Sequence, residues 1–144
     1  MRSVNALNWI NTDKYPLDNP GAESLRIVVN DVRSQLRSNG CAVLKNFIRP
    51  EALGAMASEA AMLAPRAFFT HAEATVYGGE PDESFPEGHP RRHILKRENG
   101  FVAGDFIDLS TGIRQIYHSP ELKAFLAGCL GVDEIHEFGD PLAQ

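Results

Sequence analysis

The chain has 144 residues, the size of one ordinary domain. Hydrophobic residues make up 43%, enough for a core, which argues against wholesale disorder. Fourteen Lys and Arg against 19 Asp and Glu leave a formal charge of −5, the wrong sign for a protein held to nucleic acid by phosphate contacts. In chain order, residues 1–21 read as an arm. Trp9, Ile10, Tyr15 and Leu17 are apolar anchors among polar neighbours, and Pro16 and Pro20-Gly21 bar a continuous helix. The arm is expected to lie across the domain and tuck Trp9 or Tyr15 into it. Residues 22–144 are expected to form a single α+β domain.

A helix is predicted over Ala22 to Asn39. Leu25, Val28, Val29, Val32 and Leu36 recur at three- and four-residue spacing and share one stripe. Gly40 supplies the left-handed stop. Cys41 to Ile48 is expected to be a short strand. Pro50 then opens a second helix, where its missing N–H is harmless. It carries Leu53, Met56, Ala57, Ala60, Leu63 and Ala64, and Pro65 ends it. Residues 66–92 read as irregular because Gly and Pro crowd the stretch. Arg91 to Leu95 is expected to recover a strand. Ser110 is expected to cap a helix through Tyr117. Ser119-Pro120 is the N-cap and first-turn proline of another, whose face is Leu122, Phe125, Leu126 and Leu130 and whose end is Gly131. Residues 133–138 resume a strand that reads as the approach to a further one, so the chain is expected to be the front part of a larger domain.

No apolar run approaches the roughly 18 residues that cross a bilayer. Residues 1–5 lead into no apolar stretch of a secretory signal. Cys41 and Cys129 read as buried thiols in a reducing compartment, so a cytoplasmic location is expected.

Few residues assemble into a catalytic pattern. His71-Ala72-Glu73 would present two ligands on one side of a strand, as a facial iron triad does, but such a pair is common by chance and reads first as a partly exposed pair at the start of a loop. His89 and His93 lack the zinc-pair context, since Pro90 disfavours helix at His89. Arg91, Arg92, Lys96 and Arg97 are the main basic cluster of an acidic chain. The cluster is either a solvated face or a carboxylate contact. No phosphate loop and no Gly-x-Ser-x-Gly elbow occurs.

Several stretches, in order, resemble the N-terminal portion of an Fe(II)/2-oxoglutarate-dependent oxygenase of the free-amino-acid halogenase and hydroxylase branch. They are Tyr15-Pro16-Leu17, Gly40 to Ile48 followed by Glu51-Ala52-Leu53, Glu59, His89-Pro90-Arg91-Arg92, Gly100 to Asp105, Ile113 to Pro120 with Phe125-Leu126, and Phe138 to Ala143. The resemblance covers nearly the whole chain. It implies N-terminal helices packed on the first strands of an incomplete double-stranded β-helix, the jelly-roll or cupin-like fold. It also implies Fe(II) and 2-oxoglutarate as cofactors of the full-length enzyme, with no tight binding of either here. None of the five histidines matches the family's iron ligands, so no catalytic and no metal-binding residue is assigned. The chain alone is expected to be inactive.

Under that resemblance the substrate is a small polar molecule such as an amino acid. Arg91 or Arg92 would meet its carboxylate. Asp105, Glu137 and Asp140 would meet its ammonium group. The loop from Tyr77 to His89 would act as a lid. No nucleic-acid or membrane partner is expected, and homo-oligomerisation is left open. The alternative is a complete, non-catalytic binding or interaction module.

Overall fold

The computed structural model describes residues 6–139. They form an α+β arrangement of four α-helices and one two-stranded antiparallel sheet. Helix α1 (Glu23–Asn39) follows the predicted stripe. Leu25 and Val32 are buried, and Val28, Val29 and Leu36 pack beside them. Gly40 ends it at φ 67°, with its N–H donating to the Leu36 carbonyl at 2.9 Å.

The strand expected over Cys41 to Ile48 does not form. Asn46 adopts a left-handed φ of 60°, which breaks an extended run. The carbonyl of Lys45 is taken by side chains, accepting from Tyr15 Oη at 2.8 Å and Lys14 Nζ at 2.9 Å. What remains is an isolated antiparallel bridge between Ile48 and Ile10. Asn11 N–H donates to the Phe47 carbonyl at 2.8 Å, and Arg49 N–H to the Trp9 carbonyl at 2.9 Å. The N-terminal segment thereby becomes core: Ile10, Tyr15 and Leu17 are buried in one cluster with Leu25, Val32, Phe125 and Cys129.

Helix α2 (Pro50–Leu63) has the expected proline at its start, but its apolar residues are poorly covered. Only Ala52 is buried, while Leu53 and Met62 are exposed. The stretch expected to be irregular contains strand β1 (Phe68–Ala74), where Phe68, Phe69 and Thr70 suit a pleated surface. Strand β2 (Leu95–Phe101) starts where the predicted one would have ended. Arg91 to His93 are held in turns instead, because the N–H groups of Arg92 and His93 both donate to the His89 carbonyl. The register runs from Phe68 opposite Phe101 to Ala74 opposite Leu95.

Helix α3 (Gly112–Tyr117) is capped by Thr111, not Ser110. Asp108 has already taken Ser110, accepting from its N–H at 2.8 Å and its hydroxyl at 2.6 Å. These hydrogen bonds hold the Asp108 carboxyl below its usual range. Gly112 lies under the Trp9 ring, where a Cβ would fall 2.9 Å from ring atoms. Trp9 Nε1 in turn donates to Gln115 Oε1 at 2.8 Å.

Helix α4 (Pro120–Leu130) has the predicted Ser119 cap, whose Oγ accepts from Leu122 N–H at 3.1 Å. Gly131 closes it at φ 73°. Its buried side is Phe125, Ala127 and Cys129, so Leu130 points outward against expectation. Cys129 is a buried free thiol that burial pushes up in pKa, whereas Cys41 is exposed, unlike its predicted place. Residues 133–138 form no strand, because side chains anchor them in place of a sheet ladder. No helix among the described residues is long and apolar enough to cross a membrane.

Candidate functional site

The loop between the two strands is internally organised. Thr75 N–H donates to the Gly79 carbonyl at 2.9 Å and closes a turn through Gly78 at φ 80°. Asp82 accepts from Ser84 N–H at 3.0 Å and Ser84 Oγ at 2.6 Å. These bonds, with smaller help from the Arg91 and His89 charges, hold its carboxyl below the usual range. Asp82 N–H donates to the Arg91 carbonyl at 3.0 Å, which ties the two sides of the loop together.

Arg91 sits at the centre of this loop. Its guanidinium lies 4.9 Å from the Tyr77 ring centroid and 5.5 Å from that of Phe85. Phe85 stacks on His89 with centroids 4.4 Å apart, and His89 Nδ1 accepts from Arg91 N–H at 3.2 Å. Arg92 Nη1 donates to the Phe85 carbonyl at 3.4 Å. Among the described residues, no hydrogen bond or ion pair engages the guanidinium N–H groups of Arg91. A guanidinium fixed by ring faces with its edge free is preorganised for a planar carboxylate, which it can meet with two parallel hydrogen bonds.

The other proposed contacts lie elsewhere. Asp105 is exposed in a short 3-10 turn, Gly104–Phe106. Glu137 belongs to a clasp on the corner between α3 and α4. It accepts from Lys123 Nζ at 2.7 Å and stands 3.0 Å from His118 Nδ1. Phe138 N–H donates to Tyr117 Oη at 2.9 Å beside it. Asp140 lies outside the described residues. Among the described residues, no hydrogen bond or ion pair joins Arg91 or Arg92 to Asp105 or Glu137.

The hydrogen bond from Lys123, then that from His118, hold the Glu137 carboxyl below its ordinary value of 4.5. A depressed carboxylate contributes stability that is complete above the unfolded value and is lost as pH falls through the folded one. The clasp is therefore expected to hold at neutral pH, to weaken once pH falls below 4.5 and to open as it falls through the lower folded value. The Phe138 amide resonance should report this in a pH titration. Glu137→Gln should give the open signal already at pH 7. An amide shift indifferent to both changes would show that the segment is held by something else.

Among the described residues, no three His, Cys, Asp or Glu side chains converge on a common point. His71 and Glu73 do share a strand face, but each faces a charged residue across the hairpin. Glu73 is 3.0 Å from Lys96 Nζ, and His71 is 4.0 Å from Glu98. The residues present do not fit the metal, and no reaction step is assigned to it. Two buried polar atoms, Glu59 Oε1 and Arg114 Nε, lack a hydrogen-bond partner among the described residues.

Tyr77, Phe85 and His89 were not predicted as partners of Arg91. The available signal was two large aromatic residues in a Gly- and Pro-rich stretch with no element of its own to bury them. Such rings stack on whatever flat group the loop brings near.

No family model, curated protein or solved structure matches the chain.

Proposed function

We propose that this chain is the N-terminal scaffold and lid of a non-haem iron, 2-oxoglutarate-dependent oxygenase, a hydroxylase or halogenase, acting on a small polar substrate such as an amino acid. In this reading the hairpin supplies the first strands of a jelly-roll. The observation that carries it is the uncovered apolar surface of the hairpin and α2. Phe68, Phe101, Leu53 and Met62 are each more than half exposed. A lone two-stranded ribbon is at best marginal in water and needs further strands or a packed face. A further layer packed on that face would cover Phe68 and Phe101, which share one side of the ribbon. The ordered succession of resembling segments supports the same reading. Arg91 is the residue poised for the substrate carboxylate, and its loop the part that excludes water from the mouth.

The test compares the 144-residue chain with a version extended through the downstream coding sequence. With Fe(II), 2-oxoglutarate and a panel of amino acids, the extended protein should form succinate and the 144-residue chain none. Turnover by the short chain would refute the reading, as would a downstream sequence without His-x-Asp or His-x-Gly.

A second reading, a complete non-catalytic binding module, is favoured by one observation: the Arg91 stack needs no residue from outside this chain. Under that reading a simple carboxylate should shift the Arg91 side-chain resonances of the 144-residue chain, and Arg91→Gln should abolish the shift.

A further inference from the structure

The outer edge of β1 is open. Among the described residues, no backbone group outside β2 pairs with Phe68–Ala74. Open strand edges are templates for pairing with another chain, and proteins usually block them with charge. The outer edge of β2 is blocked in that way by Lys96, Arg97 and Glu98 in succession. A two-fold antiparallel pairing places the central residue opposite its own copy. Centring on any of these three therefore sets like charges face to face, which is destabilising.

Strand β1 carries only His71 and Glu73 as ionisable residues, and their spacing is self-complementary. Centred on Ala72, the two-fold sets His71 of each copy opposite Glu73 of the other, with Ala72 facing Ala72 and Thr70 facing Ala74. Within each ribbon Glu73 already faces Lys96, and His71 faces Glu98. The pairing thus makes a row across four strands: Lys96, Glu73, then His71 and Glu98 of the second copy. Every carboxylate in that row has a basic neighbour, and the two-fold repeats the row in reverse. Centring on Glu73 would oppose two carboxylates. Centring on His71 would oppose two imidazoles and put Phe69 against Glu73.

We propose that the protein forms a two-fold homodimer by antiparallel pairing of β1 with β1 of a second copy, centred on Ala72, giving a continuous four-stranded sheet. The β2 edge and the Phe68–Phe101 face stay free, so the dimer is independent of whether further strands extend the other side.

The test is sedimentation velocity of the 144-residue chain. The wild type is expected to sediment at twice the chain mass. Ala72→Asp should sediment as a monomer with an unchanged circular dichroism spectrum. Within the ribbon the new carboxylate faces Arg97, but across the axis it faces its own copy. In a Cys41→Ser background, Ala72→Cys should crosslink into a covalent dimer on mild oxidation and Thr70→Cys should not. A monomeric wild type, a dimer that survives Ala72→Asp, or equal crosslinking at both positions would each overturn the proposal.

Discussion

Replacing Ile10 with alanine is expected to remove about 2–5 kcal/mol of folding stability. The side chain is fully buried at 0% exposure and stands where the N-terminal segment meets the 41–49 segment. Its bridge to Ile48 fixes the backbone of both. Truncation leaves a cavity that flanking hydrogen bonds prevent from closing, so the loss should exceed simple transfer of the missing methyl groups. Domains of this size have only about 5–15 kcal/mol in total, so this one change should remove a substantial fraction of the stability. Urea unfolding followed by circular dichroism should give a lower midpoint with an unchanged slope. A loss below about 1 kcal/mol would show that the first 21 residues are an accessory to the core after all.

Phe125→Ala should cost about 3–5 kcal/mol. Phe125 is the main contribution of α4 to the core. Its ring stacks on Phe47 with centroids 6.4 Å apart, and Phe47 in turn meets Tyr15 at 5.3 Å. The three rings join α4, the 41–49 segment and the N-terminal segment. Removing the middle contact of α4 also opens the groove between α1 and α4 that Leu25, Val29 and Phe125 line. Leu53→Ala and Met62→Ala on α2 serve as the comparison. Both residues are exposed, at 52% and 72%, so each should change stability by no more than about 0.5 kcal/mol. If these two cost as much as Phe125→Ala, then α2 is covered in solution and its apolar face has found a partner.

Local signals carried α1, α4 and their caps. The period of Leu25 through Leu36, the Ser119-Pro120 pair and the two stop glycines are read from neighbours a few residues apart, and the structure has them in place. Failures came where distant residues decide. The 41–48 stretch has strand composition, but Tyr15 and Lys14 claim the Lys45 carbonyl from thirty residues away. Strand β1 lies among Gly and Pro signals and depends on β2 for its ladder. The α3 cap failed for a local reason: Ser110 and Thr111 are equivalent caps by type, and Asp108, two residues before Ser110, decided between them. Arg91 was legible as a candidate because the basic cluster is conspicuous in an acidic chain. Its ring partners were not legible, since stacking depends on how the loop closes.

The buried cluster draws on the two ends of the chain and largely skips its middle. Ile10, Tyr15 and Leu17 meet Phe125 and Cys129, and Arg33 Nε reaches the Gly128 carbonyl at 2.7 Å. Between residues 50 and 101 only Ala52 and Thr75 are buried. During synthesis, then, Ile10, Tyr15 and the α1 stripe can meet the 41–49 segment early, but the side of the cluster that Phe125 and Cys129 close stays open until α4 follows. At translation rates of about 5–20 residues per second, that wait lasts on the order of ten seconds. The nascent chain spends it with the α4 side of that cluster exposed, the state that holdase chaperones recognise.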